Sequence, residues 1–117
     1  MTCKTTVSNY EVNQYCDGVA RAMHRLWPNI TNLRCYPIAR GGMPAAYALQ
    51  VCYHRLYPGQ FIHLVDDVEN ADFFLDDLVD SGATRDRYTK GNNKPFYALI
   101  DKKVAGRDDW IVFPWEV

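Results

Sequence analysis

The stretch Phe73-Phe74-Leu75-Asp76-Asp77-Leu78-Val79-Asp80-Ser81-Gly82-Ala83-Thr84 constrains this chain more than any other. Ala71 to Leu75 is a nearly continuous apolar run, which reads as a strand buried on both faces of a helix-covered parallel sheet. It leads directly into two adjacent carboxylates, then a third, then a small-residue turn carrying two hydroxyls. Carboxylates at the carboxyl end of such a strand sit where parallel α/β sheets bind ligands. Ser81 to Thr84 can wrap backbone N–H groups around a phosphate, and the helix start that follows adds partial positive charge.

The rest of the chain supplies the partners of that strand. Val7 to Val12 opens a helix, with Ser8 and Glu11 at capping-box spacing and Val7 and Val12 placed for a hydrophobic staple. Val12, Tyr15, Cys16, Val19, Met23 and Leu26 recur at steps of three and four, giving one apolar face that Trp27-Pro28 ends. Asn32 to Ala39 reads as a strand, Arg40 to Pro44 as a tight turn, and Pro44 as the first turn of a second helix running to about His54. Phe61 to Val65, Phe96 to Ile100 and Trp110 to Phe113 read as further strands, with a polar helical stretch after Thr84. This order predicts a single α/β domain, residues 1–117, with a central, mainly parallel sheet of about five strands flanked by helices.

Composition excludes more than it proves. At 117 residues the chain suits one core, and a formal net charge of −1 gives no attraction to nucleic acid or an anionic membrane. The four cysteines form no CxxC pair, so neither a zinc site nor a redox motif is expected. The first residues lack an apolar leader and no stretch approaches a membrane span, so a reduced cytoplasmic setting is the expectation.

An isolated Asp-Asp pair is usually a solvated acidic loop. Carboxylates packed against a phosphate nest would repel phosphate alone, whereas a ligand carrying diol hydroxyls and Mg²⁺ explains both halves of the segment. Here the chain resembles the type I phosphoribosyltransferases, whose signature is an apolar strand, two acids and a short phosphate loop. The resemblance implies ribose binding by Asp76 and Asp77, with Asp77 also close to Mg²⁺. It implies Asp80 as the general acid or base facing the purine N7, and Asp80, Ser81, Gly82, Ala83 and Thr84 as the 5-phosphate loop. Ile38 to Pro44 is similar to the family's pyrophosphate loop, with Arg40 offering a charged fork and Gly41 allowing close approach. Taken alone, Arg-Gly-Gly reads more readily as a plain turn than as a ligand loop.

Lys103 to Arg107 and Trp110 to Trp115 are similar to the C-terminal part of xanthine-guanine phosphoribosyltransferases. That resemblance implies Lys103 at the purine O6, Trp110 stacked on the base, and the Ile111 carbonyl at the exocyclic group. Lys102 competes with Lys103, since strand neighbours point to opposite faces. Trp115 reads as structural, Trp110 as either base-stacking or core. Asp66 and Asp67 lack a following glycine or hydroxyl nest and read as turn residues. His24, His54 and His63 read as structural; Arg85 and Arg87 could touch a phosphate but read more readily as solvent-facing.

Two departures stand out. Relatives carry a long loop that closes over the site before the acidic strand, and here only Val65 to Asn70 is available. The segment between Lys103 and Trp110 is also abbreviated. The implied activity is transfer of ribose 5-phosphate from phosphoribosyl pyrophosphate to a purine base, in a homo-oligomer (dimer or tetramer). The alternatives are a nucleotide-binding regulator that has lost catalysis, favoured by the short loop, and a generic phosphate-binding α/β enzyme, which leaves the Arg-Gly loop unexplained.

Overall fold

The computed structural model describes residues 3–116. Strand β1 (Lys4–Thr6) precedes helix α1 (Asn9–Leu26), followed by β2 (Asn32–Pro37), α2 (Ala39–Leu56) and β3 (Phe61–Leu64). A 3₁₀ turn at Val68–Asn70 leads to β4 (Phe73–Val79), α3 (Ala83–Thr89), β5 (Phe96–Asp101), α4 (Lys102–Ala105), β6 (Trp110–Val112) and a second 3₁₀ turn at Pro114–Glu116.

Local chemistry sets several of these elements. The Ser8 hydroxyl accepts from the Glu11 N–H at 3.1 Å, and the Glu11 carboxylate accepts from the Ser8 N–H at 3.1 Å, completing the capping box of α1. Val12, Cys16, Val19, Ala20 and Met23 form its buried stripe. Asp67, expected in a turn, caps the first 3₁₀ turn by accepting the Glu69 N–H.

The central sheet runs β3-β2-β4-β5, and all its pairings are parallel. Strand alternation divides its side chains between two faces. Leu33 and Cys35 of β2 and Phe73 and Leu75 of β4 join the main core with α1 and α2. Phe74 turns the other way, into a smaller cluster with Ile38, Ala71, Tyr36, Phe96 and Tyr88 of α3. The same alternation puts Asp77 on the α2 side of β4 and Asp76 on the opposite side.

Four expectations are corrected. The central sheet has four strands, because β6 pairs in parallel with β1 in a separate two-stranded sheet. Three residues at Lys4–Thr6 are too few to show alternation, so only the pairing reveals that strand. Second, Arg40-Gly41-Gly42 is no free turn: α2 starts at Ala39, making these its first turn, and Pro44 lies inside the helix. Near a helix start, proline forgoes a single bond, here to the Arg40 carbonyl. Third, β4 continues through Asp76 and Asp77 to Val79, because parallel pairing with β5 extends to Asp101. Fourth, Lys102 and Lys103 are not strand neighbours; the Asp101 carboxylate accepts from the Lys103 and Val104 N–H groups and turns the chain into α4.

Candidate functional site

The β2–α2 turn and the carboxylate pair meet across the sheet's carboxyl edge. Ile38, at the N-cap of α2, offers no side-chain cap, and the first turn of that helix holds no acidic residue. Its N–H groups, those of Arg40 and Gly41 among them, therefore have no i−4 partners inside the helix, the arrangement that favours an anion. Gly41 lies directly against Asp77: a Cβ added there would overlap the Asp77 carboxylate. At Gly42 a Cβ would come within 2.8 Å of the Leu75 carbonyl oxygen and 3.1 Å of the Pro37 carbonyl carbon. The two glycines thus let α2 sit down onto β4.

The carboxylates themselves are half-buried. The Asp76 Oδ1 accepts the Asp77 N–H at 2.8 Å. Burial, and then the neighbouring Asp77 carboxyl, push the Asp76 carboxyl up to about 7. Arg40, Gly41, Pro44, Asp76, Asp77, Trp115 and Glu116 line one open cavity of about 680 Å³. Of the residues expected to bind ribose and pyrophosphate, all four are brought together there.

The β4–α3 turn forms a second, smaller cavity of about 100 Å³, lined by Asp80, Ser81, Gly82, Thr84 and Arg85 beside Leu78 and Val79. Gly82 is left-handed at φ 89°, a conformation glycine adopts without the steric cost of a Cβ. Cations surround this loop. The Arg85 Nη2 lies 3.2 Å, and the Lys103 Nζ 3.8 Å, from where a Gly82 Cβ would sit. Lys102, whose side chain is 11% exposed, pairs with the outward-facing Asp80 at 3.4 Å. Arg85 also pairs with Asp101 at 2.9 Å. Arg85, expected to face solvent, instead reaches the loop because it sits in the first turn of α3, three residues after the Gly82 N-cap.

The residues assigned to the base are less closely gathered. Lys103 faces the Asp80–Thr84 loop, Trp110 is 62% exposed on β6, and Ile111 is buried in the main core. The cavities above include neither Lys103 nor Trp110. Trp115 lies deeper in the site than Trp110. It stacks on Phe113 at 4.9 Å, and its indole N–H donates to the Asp77 Oδ2 at 3.3 Å. The histidines engage structural partners: His24 stacks on Tyr57, His54 on Phe61, and His63 bonds Asn32.

Among the described residues no group of three or more His, Cys, Asp or Glu side chains gathers as a metal site. Two adjacent carboxylates with open space beside them nonetheless suit Mg²⁺, which takes one or two carboxylates and completes its shell with waters and substrate oxygens. Asp77, with Asp76 beside it, would hold the ion.

Comparison with solved structures places this architecture. A hypothetical protein from Neisseria gonorrhoeae with bound ppGpp superimposes with a TM-score of 0.64 at 12% identity, covering 100% of this chain and 91% of that one. A purine phosphoribosyltransferase from Pyrococcus horikoshii gives 0.59 at 16% identity, covering 97% and 95%. The hypoxanthine-guanine phosphoribosyltransferase from Schistosoma mansoni in complex with IMP gives 0.60 at 15% identity, covering 92% of this chain and 65% of that one. No protein-family model and no curated protein sequence matches the chain. The chain has the α/β fold of the purine phosphoribosyltransferases.

Proposed function

We propose that the chain is a purine phosphoribosyltransferase acting in cytoplasmic purine salvage. It would displace pyrophosphate from phosphoribosyl pyrophosphate with a ring nitrogen of a 6-oxopurine: guanine, xanthine or hypoxanthine. One observation carries this reading: the open start of α2, with Arg40 and Gly41, and the Asp76–Asp77 pair line one cavity, and the strand that bears the pair runs into a cation-flanked hydroxyl turn at Asp80–Thr84. A ligand with a diphosphate, a diol and a terminal phosphate satisfies all three parts.

Each part has a physical task. Arg40 and the first N–H groups of α2 bind the pyrophosphate by charge-assisted hydrogen bonds. Asp76 and Asp77 accept from the ribose hydroxyls and fix the sugar's orientation. Ser81 to Thr84, with Arg85 alongside, hold the 5-phosphate. Asp80 takes the proton from the attacking base, its carboxylate held by Lys102 until the base arrives. Mg²⁺, when bound at Asp77, offsets the negative charge that builds on the departing pyrophosphate. Lys103 favours an O6 acceptor over an amino group, and Trp110 covers the base. Met43, Tyr47 and Val51, at 39, 56 and 72% exposure along one face of α2, support a homo-oligomer.

The test is incubation with Mg²⁺, phosphoribosyl pyrophosphate and each of guanine, xanthine, hypoxanthine and adenine, followed by chromatography for nucleotide. Product with a 6-oxopurine and little with adenine is expected. No nucleotide with any base would overturn the reading. The second reading, a nucleotide-binding regulator, is favoured by the likeness to the Neisseria gonorrhoeae structure that holds ppGpp. Tight calorimetric binding of ppGpp without transfer would select it.

A further inference from the structure

We infer that Trp115 is a positioning residue for Asp77, holding that carboxylate in the orientation a bound sugar diol or cation needs. The inference rests on reading the Arg40–Asp77 cavity as the ligand site. An indole has one donor and no acceptor, and a half-buried indole N–H requires a partner. In this structure the donor goes to the Asp77 Oδ2 at 3.3 Å, across 38 residues of sequence.

The ring is itself fixed from two sides. It stacks on the buried Phe113 with an interplanar angle of 3°. The turn that carries it is clasped by the Glu116 carboxylate, whose Oε1 accepts the Phe113 N–H at 3.0 Å. Gly41 packs against the same carboxylate so closely that a Cβ there would overlap it. Asp77 is therefore in contact with both α2 and the Pro114–Glu116 turn.

An aspartate without these neighbours would sample several rotamers, and the ligand would have to select one. Held by the indole, the carboxylate meets the ligand already oriented. The Pro114–Glu116 turn thereby becomes part of the site, although it belongs to neither the acidic strand nor the phosphate loop. A purely structural tryptophan, packed on Phe113 and no more, would not need its N–H at this carboxylate.

Trp115→Phe keeps the aromatic stack and removes the donor. With Mg²⁺ present, its affinity for phosphoribosyl pyrophosphate should fall about tenfold while a cooperative melting transition is kept, because the ligand must then order the Asp77 side chain itself. In the Asp77→Ala background the same substitution should add little, because the two act as one unit. In ¹⁵N-labelled wild type, the Trp115 indole N–H resonance, assigned by its loss in Trp115→Phe, should shift in Asp77→Ala, which leaves the indole no acceptor there. Full affinity in a folded Trp115→Phe, or an indole resonance indifferent to Asp77→Ala, would overturn the proposal. If the wild type binds no phosphoribosyl pyrophosphate, the functional reading falls, and the indole resonance still decides whether Trp115 holds Asp77.

Discussion

At the β2–α2 turn, Gly42 is needed because a Cβ would meet the Leu75 and Pro37 backbone, and Gly41 because a Cβ would overlap the Asp77 carboxylate. At the β4–α3 turn, Gly82 is needed because the backbone turns left-handed at φ 89° with only side-chain ends nearby. Both turns leave adjacent strands of the same parallel sheet. One makes its site by packing a helix start against a carboxylate from another strand. The other makes it from consecutive residues and borrows cations from α3 and α4. Glycine at the first turn therefore controls which groups meet, and at the second it controls the shape of a single loop.

The largest expected effect separates chemistry from binding within the second turn. Asp80→Asn should lower the transfer rate by about 10²–10⁴-fold while ligand affinity stays near wild type, read by single-turnover kinetics beside calorimetry. Unchanged turnover would remove Asp80 from the acid–base role. Affinity lost in proportion to rate would make it a ligand contact instead.

Substituting the glycines sharpens the contrast directly. Gly41→Ala must push Asp77 aside, so affinity for phosphoribosyl pyrophosphate should drop steeply, beside an overpacking cost of about 1–3 kcal/mol. Gly82→Ala meets only flexible side-chain ends, so its cost is left-handed strain of roughly 1–2 kcal/mol. Denaturant titration and calorimetry on both variants would show whether binding and stability separate in this way. Equal loss of affinity per unit of stability lost would erase the distinction between the two turns.

The smallest effect concerns Asp76. Its carboxyl is raised from 3.8 to about 7, so the fold disfavours its ionised form. That cost is absent below the unfolded value, grows as pH rises from 3.8 towards 7, and is complete above 7. Asp76→Asn keeps an acceptor for the Asp77 N–H and should raise the melting temperature by a few degrees at pH 8 and by nothing at pH 3. It should weaken ligand binding at pH 8. A melting temperature raised equally at both values would mean the effect is packing, not charge.

How much was legible beforehand follows the range of each interaction. The capping box of α1 and the Ser81–Gly82 turn are written in residues a few positions apart, so spacing alone discloses them. The apolar run of β4 announces burial on two faces, and with it the parallel sheet. The start of α2 was misread because Arg-Gly-Gly resembles a turn; what permits a helix there is the room above Leu75 and Pro37 that only glycine can use. The β1–β6 pairing joins Lys4–Thr6 to Trp110–Val112, and strands of three residues carry no pattern of their own.

By itself, then, the sequence determined the class of fold and the acids, hydroxyls and glycines that a sugar-phosphate site would draw on, because periodicity, caps and turn chemistry are local. Tertiary structure decided which of them meet. It set Gly41 against Asp77, drew Lys102 to Asp80, left Trp110 exposed on β6 and carried Trp115 to the acidic pair. Each of these contacts depends on how elements dock, and docking is fixed by the volume and burial of the whole core rather than by any one segment.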